Sequence, residues 1–295
     1  MVTDMKRIAL INDLSGFGKC SLTAAIPVVS ALGIQACPLP TAILSAQTGF
    51  PSYYFDDYTN RMNLITDEWS QMDIGFDGIC SGYLGSAAQA DNVLYFLSRF
   101  HADGTLYLAD PIMGDNGQKF PIFTRELSDS MKTLTRKADI ITPNLTELCL
   151  LADADYDAVT AFSGNQDYLD RICDIGRRLS ARAETKQTVI VTGIIRNTGN
   201  AAVIGNLAVS ADSRCYVETP YTGRSFSGTG DLFASVIIGC LVKGQSVSDA
   251  LHQAVGFLQP AIAEASENDI PRDHGVHFEK YLYRLMAGEP GDLTD

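Results

Sequence analysis

Short apolar runs alternate with helical segments along most of this 295-residue chain. Residues 7–11, 77–80 and 105–109 have the length and apolar character of strands, whereas residues 21–32 and 86–100 have apolar positions at helical spacing. Such alternation predicts a mainly parallel β-sheet with helices on both faces. In folds of this kind ligands bind beyond the carboxyl ends of the strands, so the residues that follow each strand are the candidates for function.

Three runs late in the chain break this pattern. They alternate in polarity between short polar turns, which predicts a small antiparallel meander at residues 201–204, 207–210 and 214–218. No internal repeat or low-complexity linker divides the chain. We therefore expect a three-layer α/β/α fold with a central, mainly parallel sheet and a small antiparallel meander, formed by residues 1–295 as a single domain.

The balance of charge limits the partners that this chain can bind. It has 22 Lys and Arg residues against 35 Asp and Glu residues, a formal net charge of −13 at pH 7. Nucleic-acid binding requires cations that neutralise phosphates, so an acidic chain is a poor candidate for it. No run approaches the roughly 20 apolar residues of a membrane-spanning helix, and residues 1–7 lack the pattern of a signal peptide. We expect a soluble, cytoplasmic protein that binds neither nucleic acid nor membranes.

The cysteines predict neither a disulfide framework nor a zinc site. There are seven of them, an odd number, widely spaced and without a C-x-x-C pair. Most lie in apolar runs, which is typical of reduced, buried thiols in a cytosolic protein.

The segment Gly228-Thr229-Gly230-Asp231 is the strongest indication of function. Its glycines permit a tight turn that exposes backbone amides, and the apolar positions that follow predict a helix over residues 231–242. The free N–H groups and the positive dipole at the start of that helix would bind an anion. Asp231 would lie beside the anion and accept a proton from an attacking hydroxyl. The alternative is a glycine-rich turn with an acidic residue favoured by the helix dipole.

Two further strand ends carry acidic side chains. Asp110 ends an apolar strand and Asp115 follows in a loop with glycine, an arrangement that suits Mg²⁺ or phosphate-bound Mg²⁺. Asn144 and Glu147 follow the next strand and share one face if a helix has begun. They would either hold a hydrated Mg²⁺ or form a capping box, with Asn144 as N-cap and Glu147 as its partner. For this pair alone, capping is the favoured interpretation.

Two other segments are less specific. Residues 188–193 form an apolar strand that ends in Thr-Gly, a position that can adjoin a nucleotide. Residues 11–21 contain a glycine-rich turn with Lys19 but not a P-loop, because Asp13 stands where the first glycine is needed and Cys20 where Ser or Thr is needed. This turn remains suitable for a small polar substrate. The order of all five segments is more specific than any one of them.

In this order the segments resemble the ribokinase-like superfamily of small-molecule kinases. The Gly-Thr-Gly-Asp motif at the start of a helix is similar to the superfamily motif, and residues 81–86 (SGYLGS), 110–115 and 142–148 resemble its pyridoxal/pyridoxamine kinase branch. The match runs from about residue 7 to 265. It implies ATP-dependent phosphorylation of the 5′-hydroxyl of pyridoxal, pyridoxamine or pyridoxine in vitamin B6 salvage. It also implies Mg²⁺ as cofactor and a homodimer, and it leaves a monovalent-cation requirement open.

The resemblance further implies roles for individual residues. Asp231 would be the base toward the vitamer hydroxyl, and Gly228, Thr229 and Gly230 would bind the γ-phosphate. Mg²⁺ would be organised by Asp110, Asn144 and Glu147, partly through water. The other contacts would divide between the two substrates: Asp110, Asp115, Asn144, Thr192, Thr222 and Phe226 for ATP, and Asp13, Leu44, Thr48, Tyr83 and Asp231 for the vitamer.

Two positions depart from the pattern of this branch. Asp13 stands where many relatives have Ser, and residues 46–48 read Ala-Gln-Thr where they have Asn-His-Thr. Gln47 forms hydrogen bonds but does not titrate as His does. If Asp13 faces the ligand, its charge would favour a protonated ring nitrogen or an amine, which predicts a preference for pyridoxamine.

Three alternatives stay open. The same chemistry would act on another alcohol, such as hydroxymethylpyrimidine or a sugar, although residues 81–86 argue against this. A non-catalytic B6-binding protein on the same fold would be expected to lack Asp231 or the adjoining glycines, which are present. A P-loop NTPase is disfavoured by Asp13 and Cys20.

Overall fold

A computed structural model describes residues 5–121, 123–163, 167–199 and 201–286. The remaining residues of the predicted domain lie outside this description. The strands are β1 (Arg7–Ser15), β2 (Gln35–Leu44), β3 (Phe55–Asp57), β4 (Gly78–Ser81), β5 (Leu106–Ala109), β6 (Gly114–Asp115), β7 (Gln118–Lys119), β8 (Ile140–Ile141), β9 (Thr188–Asn197), β10 (Ala202–Val209) and β11 (Arg214–Pro220). The α-helices are α1 (Ser21–Ala31), α2 (Thr59–Gln71), α3 (Ala87–Phe100), α4 (Arg125–Lys137), α5 (Leu145–Ala152), α6 (Tyr156–Thr160), α7 (Tyr168–Ser180), α8 (Thr229–Val242), α9 (Val247–Glu267) and α10 (Tyr283–Met286).

Over the described residues, the central sheet has nine strands in the order β11-β10-β9-β8-β5-β4-β1-β2-β3. Neighbouring strands from β9 to β2 run parallel, whereas β3 at one edge and β10 and β11 at the other are antiparallel. Strands β6 and β7 form a separate antiparallel pair. The predicted α/β class with a mainly parallel sheet is confirmed.

Side chains alternate along the strands, and this alternation divides the core into two hydrophobic clusters. Ala9 and Ile11 of β1 contribute to the cluster that α2, α3, α4, α5 and α7 cover. Ile8 and Leu10 contribute to the opposite cluster, which α1, α8 and α9 cover. Two buried faces explain why the central strands are apolar throughout and why the protein has three layers.

Several strands are longer than the sequence predicts. The predicted strand at residues 7–11 continues as β1 to Ser15, because its polar end pairs with β2 as far as Leu44. Residues 201–204 and 207–210 form the single strand β10, which joins the main sheet through β9. A shift in pairing register between Gly205 and Leu207 lies at the interruption that made this strand look like two.

Two further predictions concern membranes and thiols. Within the described ranges, no helix combines the length and the apolar character that are needed to cross a membrane. All seven cysteines fall within these ranges, each is a free thiol, and five of them are buried.

Close packing of α8 against the end of α1 depends on Gly239. A Cβ atom there would lie 2.4 Å from Cδ1 of the buried Leu32, whereas a Cβ atom at the exposed helical Gly256 would meet no atom within 4 Å. We expect Gly239→Ala to lower the free energy of unfolding by about 1–3 kcal/mol through overpacking. The matched variant Gly256→Ala should raise it by about 0.5–1 kcal/mol, since Ala has the higher helix propensity. Urea unfolding followed by circular dichroism measures both, and equal changes would contradict the packing argument.

Candidate active site

Polar residues at the carboxyl ends of the parallel strands surround a cavity of about 620 Å³. Its walls come from the segments after β5 and β8, from β9, and from the start of α8. Eleven of the predicted site residues line it: Asp110, Asp115, Asn144, Glu147, Thr192, Thr222, Phe226, Gly228, Thr229, Gly230 and Asp231. The other four, Asp13, Leu44, Thr48 and Tyr83, are not among its lining residues.

The turn before α8 requires glycine at its first position. Gly228 has a φ of 82°, and a Cβ atom there would lie 2.1 Å from the carbonyl oxygen of Lys19. The first intrahelical hydrogen bond of α8 runs from Leu232 N to Gly228 O. The amides of Thr229 and Gly230 therefore precede the helical ladder and are available to bind an anion.

Two donors from the other end of the chain hold the carboxylate of Asp231. Asn12 Nδ2 donates to one oxygen at 2.9 Å, and the backbone N–H of Ser21 donates to the other at 2.9 Å. Burial raises the pKa of Asp231 to about 6; the two donors oppose this shift, and the negative charge of Asp13 adds to it. The result is an oriented carboxylate whose pKa lies close to the range in which a general base works best.

Asp13 is a buried residue, with 6% of its surface exposed. Its two oxygens accept hydrogen bonds from Ser21 Oγ at 2.6 Å and from Ser15 Oγ at 2.7 Å. Burial raises its pKa, and the two hydroxyls act against that shift. Ser21 thus contacts both acids, Asp13 through its hydroxyl and Asp231 through its amide.

Asn12 and Ser21 were not predicted as site residues. Asn12 packs against Gly82 of the SGYLGS run, where a Cβ atom would lie 2.4 Å from Asn12 Nδ2. Glycine at this position leaves room for the amide side chain, whose oxygen also accepts the N–H of Tyr83 at 2.9 Å. No local pattern identifies Ser21, because its role depends on contacts with residues far away in the sequence.

Asp110 lines the same cavity as Asp231 and is oriented by Thr142. Thr142 Oγ1 donates to Asp110 Oδ1 at 2.8 Å. Burial raises the pKa of Asp110, and the charge of Asp231 raises it further. Thr142 lies in the segment 142–148 that resembles the kinase branch, and it was not predicted as a site residue.

Asn144 and Glu147 form a capping box at the start of α5. Asn144 Oδ1 accepts the N–H of Glu147 at 3.0 Å, and Glu147 Oε2 accepts the N–H of Asn144 at 2.8 Å. The second Glu147 oxygen accepts the N–H of Met113 at 3.0 Å, and Asn144 Nδ2 donates to Gly114 O at 2.8 Å. The pair thereby fixes the loop after β5 against α5.

These donors suit a hydrated Mg²⁺ bound together with phosphates. Within the described ranges, no three His, Cys, Asp or Glu side chains form a ready-made metal cluster. Thr142 donates to one oxygen of Asp110, Oδ1. In Glu147, by contrast, both carboxylate oxygens accept backbone N–H groups. Mg²⁺ usually keeps several waters and takes one or two carboxylates plus substrate phosphates, which fits direct contact by Asp110 and water-mediated contact by Asn144 and Glu147.

The predicted vitamer residues lie at the carboxyl ends of β1, β2 and β4: Asp13 and Leu44 belong to β1 and β2, whereas Thr48 and Tyr83 follow β2 and β4. Leu44 is buried at the end of β2, and Thr48 is exposed in the loop that follows. Tyr83 is half-buried; burial raises its pKa to about 12, and the charge of Asp13 contributes to this shift. Gln47, which replaces the expected His, connects two loops: Nε2 donates to Asp273 O at 3.1 Å and Oε1 accepts the N–H of Gly49 at 2.7 Å.

Fold and site together define a small-molecule kinase of the ribokinase-like superfamily. The family model for phosphomethylpyrimidine kinase matches residues 18–276. The chain belongs to this family.

Individual relatives extend this result. One relative is a Bacteroides thetaiotaomicron protein that is provisionally described as a phosphomethylpyrimidine kinase and was crystallised with pyridoxal. It is 36% identical to this chain, with a TM-score of 0.87, and the match covers 98% of each chain. Pyridoxal kinase from Lactobacillus plantarum is 26% identical, with a TM-score of 0.83, and the match covers 96% of this chain and 97% of that one. Pyridoxal kinase PdxY of Aliivibrio fischeri is 26% identical over 276 residues, 88% of this chain and 89% of the relative.

The raised pKa of Asp231 predicts a pH-dependent stability. The folded protein holds this proton up to about pH 6, whereas the unfolded chain releases it near pH 3.8. Asp231 therefore lowers the free energy of unfolding as the pH rises through this interval, and the loss persists at higher pH. Asp231→Asn has no charge to bury, so its stability relative to the wild type should rise by up to about 3 kcal/mol across the interval. Denaturant unfolding at a series of pH values measures this, and a constant difference would contradict the assigned shift.

Proposed function

We propose that the protein transfers the γ-phosphoryl group of ATP to the 5′-hydroxyl of a B6 vitamer. The observation that carries this proposal is the carboxylate of Asp231, held by Asn12 and Ser21 beside the free amides at the start of α8. The relatives named pyridoxal kinase support the vitamer as acceptor, as does the Bacteroides structure with pyridoxal. ATP as donor is supported by the family relationship.

In this proposal Asp231 accepts the proton of the attacking hydroxyl, so its deprotonated form is the active one. The amides of Gly228, Thr229 and Gly230 stabilise the negative charge that develops on the transferred group. Because both carboxylate oxygens of Asp231 are held by protein donors, the base is oriented before the substrate arrives. Positioning and charge stabilisation are the main contributions that a protein makes to phosphoryl transfer.

The 620 Å³ cavity is the proposed nucleotide site. Asp115, Thr192, Thr222 and Phe226 would border the nucleotide. Asp110 would contact Mg²⁺, with Asn144 and Glu147 acting through water. When bound, the ion would neutralise phosphate charge. These assignments are supported by the way the residues line one cavity.

The vitamer would lie on the β1 side of Asp231, near Asp13, Leu44, Thr48 and Tyr83. Asn12 connects this side to the base, since it donates to Asp231 and accepts the N–H of Tyr83.

We further propose a single cytoplasmic domain that assembles as a homodimer. The edge strand β3 supports a contact between copies, because Phe55 in it and Tyr54 before it are exposed.

Hydroxymethylpyrimidine is the second candidate acceptor. The matching family is named for phosphomethylpyrimidine, the phosphate ester of this alcohol. Hydroxymethylpyrimidine shares with the B6 vitamers a nitrogen heterocycle that carries a hydroxymethyl group, so the same base and anion site would serve both.

ATP consumption by the purified protein with Mg²⁺ tests the proposal against pyridoxal, pyridoxamine, pyridoxine, hydroxymethylpyrimidine and ribose. We expect turnover with the B6 vitamers. Asp231→Asn should lower kcat by at least about 100-fold, because the base is lost, with little change in the KM for ATP. Turnover confined to hydroxymethylpyrimidine would move the acceptor to the second candidate.

The matched control for this variant is Asp249→Asn. Asp249 occupies the same position in the first turn of α9 that Asp231 occupies in α8, but it is exposed and pairs with Ser246. It should keep wild-type kinetics. Near-normal turnover of Asp231→Asn would contradict the role of the base, whatever the acceptor.

The charge of Asp13 predicts a preference among vitamers. If the carboxylate favours a cationic ligand, Asp13→Ser should lower kcat/KM for pyridoxamine relative to pyridoxal. The ratio of the two values measures the effect independently of any general loss of activity. An unchanged ratio would show that Asp13, hydrogen-bonded to Ser15 and Ser21, acts on the protein and not on the vitamer.

A further inference from the structure

Two cationic side chains line the 620 Å³ cavity in the described part of the chain, Arg224 and Arg272. The guanidinium of Arg224 is already committed to protein partners. Nη1 donates to Asp269 at 2.6 Å and Nη2 donates to Ile270 O at 2.8 Å, while the group lies 5.3 Å from the ring centre of Phe226. Arg224 therefore stabilises the wall of the cavity and has little capacity left for a ligand.

Arg272 has the opposite character. Its contacts are long: Nη2 lies 3.8 Å from Asp115, Nη1 lies 3.8 Å from Asp273, and Nε donates to Ser225 Oγ at 3.4 Å. Its side chain is 57% exposed. A guanidinium held this loosely keeps donors free for a bidentate contact with phosphate oxygens.

The backbone of Arg272 is nevertheless fixed next to residues 228–230, the turn before α8 that is proposed to bind phosphate. The N–H of Ser227 donates to Arg272 O at 3.1 Å, so Arg272 is tied to the residue that precedes Gly228. Nearby, Gly275 packs so closely that a Cβ atom there would lie 2.9 Å from Gly18 O and 3.2 Å from Ser227 O. The side chain therefore starts from a well-defined point beside the amides of the turn.

The rest of the cavity wall is rich in negative charge, which favours a cation beside bound phosphates. Four carboxylates line it, those of Asp110, Asp115, Glu147 and Asp231. A nucleotide with three phosphates would bring several further negative charges into the same space. Positive groups aimed at the transferred phosphoryl group are among the largest contributions to phosphoryl-transfer catalysis.

Asp115, the partner of Arg272, lies on a short hairpin that is anchored through its turn. Strands β6 and β7 are joined by Asn116 and Gly117, with φ values of 50° and 76°, which is typical of a tight two-residue hairpin turn. The N–H of Gly117 donates to Thr146 Oγ1 at 2.9 Å. Asp115 is thereby held within reach of Arg272 at the cavity.

We propose that Arg272 is a phosphate-binding residue that contacts the terminal phosphates of the nucleotide and exchanges its long contact with Asp115 for phosphate oxygens. The assignment of the ligand as a nucleoside triphosphate rests on the proposed function. Arg272 lies outside all the sequence motifs, and its role follows from its loose pairing, its fixed backbone and its place on the cavity wall.

The test is the affinity of Arg272→Gln for a non-hydrolysable ATP analogue and for ADP, each with Mg²⁺, measured by isothermal titration calorimetry. We expect the variant to bind the analogue about 10- to 100-fold more weakly, as for the loss of charge-assisted hydrogen bonds. The loss for ADP should be smaller, because the last phosphate is absent. Arg272→Lys keeps the charge but loses the forked guanidinium. Its affinity for the analogue should therefore lie between those of the wild type and of Arg272→Gln.

Arg178→Gln is the matched control, since Arg178 is exposed on α7 and does not line the cavity. It should bind both nucleotides as the wild type does. Thermal unfolding of every variant checks that the fold is intact. Wild-type affinity of Arg272→Gln for the analogue would overturn the proposal.

Steady-state kinetics separate this proposal from the proposed function. With an active wild type, Arg272→Gln should raise the KM for ATP and lower kcat. If the wild type phosphorylates no acceptor but Arg272→Gln still binds the analogue more weakly, the acceptor assignment fails and the role of Arg272 stands. Equal losses for the analogue and for ADP would also contradict a contact with the terminal phosphate.

Discussion

The carboxylate of Asp231, a half-buried residue, is the group on which the rest of the site depends. Burial opposes its charge, and the protein offsets this opposition with donors from Asn12 and from the amide of Ser21. These donors belong to β1 and to the start of α1, whereas Asp231 belongs to α8. One carboxylate therefore fixes three segments relative to one another, and it places the amides of α8 beside the ends of the parallel strands.

A second constraint follows from the crowding of acids at the same edge of the sheet. Asp13 and Asp110 lie close enough to Asp231 for their charges to influence one another. Hydroxyl groups moderate this repulsion, from Ser15 and Ser21 on one side and from Thr142 on the other. Such a cluster of acids is destabilising in the isolated protein, but it would suit the proposed Mg²⁺ site and the proposed proton transfer.

Features encoded locally were predictable from the sequence, whereas those that arise from contacts between distant residues were not. The alternation of apolar runs was sufficient for the sheet and its layers, and Gly228 to Asp231 was sufficient for the turn and the following helix. The polar end of β1 looked like a turn because Asn and Asp residues are rarely buried in strands. Only its pairing with β2 shows that the strand continues through Asn12 and Asp13. Ser21 contacts Asp231 across 210 positions, a separation that no sequence pattern records.

The amide of Gln47 has a mechanical consequence. It joins the loop after β2 to the backbone carbonyl of Asp273. The neighbouring Arg272 carbonyl accepts the N–H of Ser227, which directly precedes the turn before α8. The loop after β2 and the turn before α8, which border the two proposed substrate sites, are therefore parts of one hydrogen-bonded frame. A displacement of the loop after β2 would therefore be transmitted to the turn before α8 through these hydrogen bonds, and any effect that a ligand on one side has on affinity at the other would be equal in both directions.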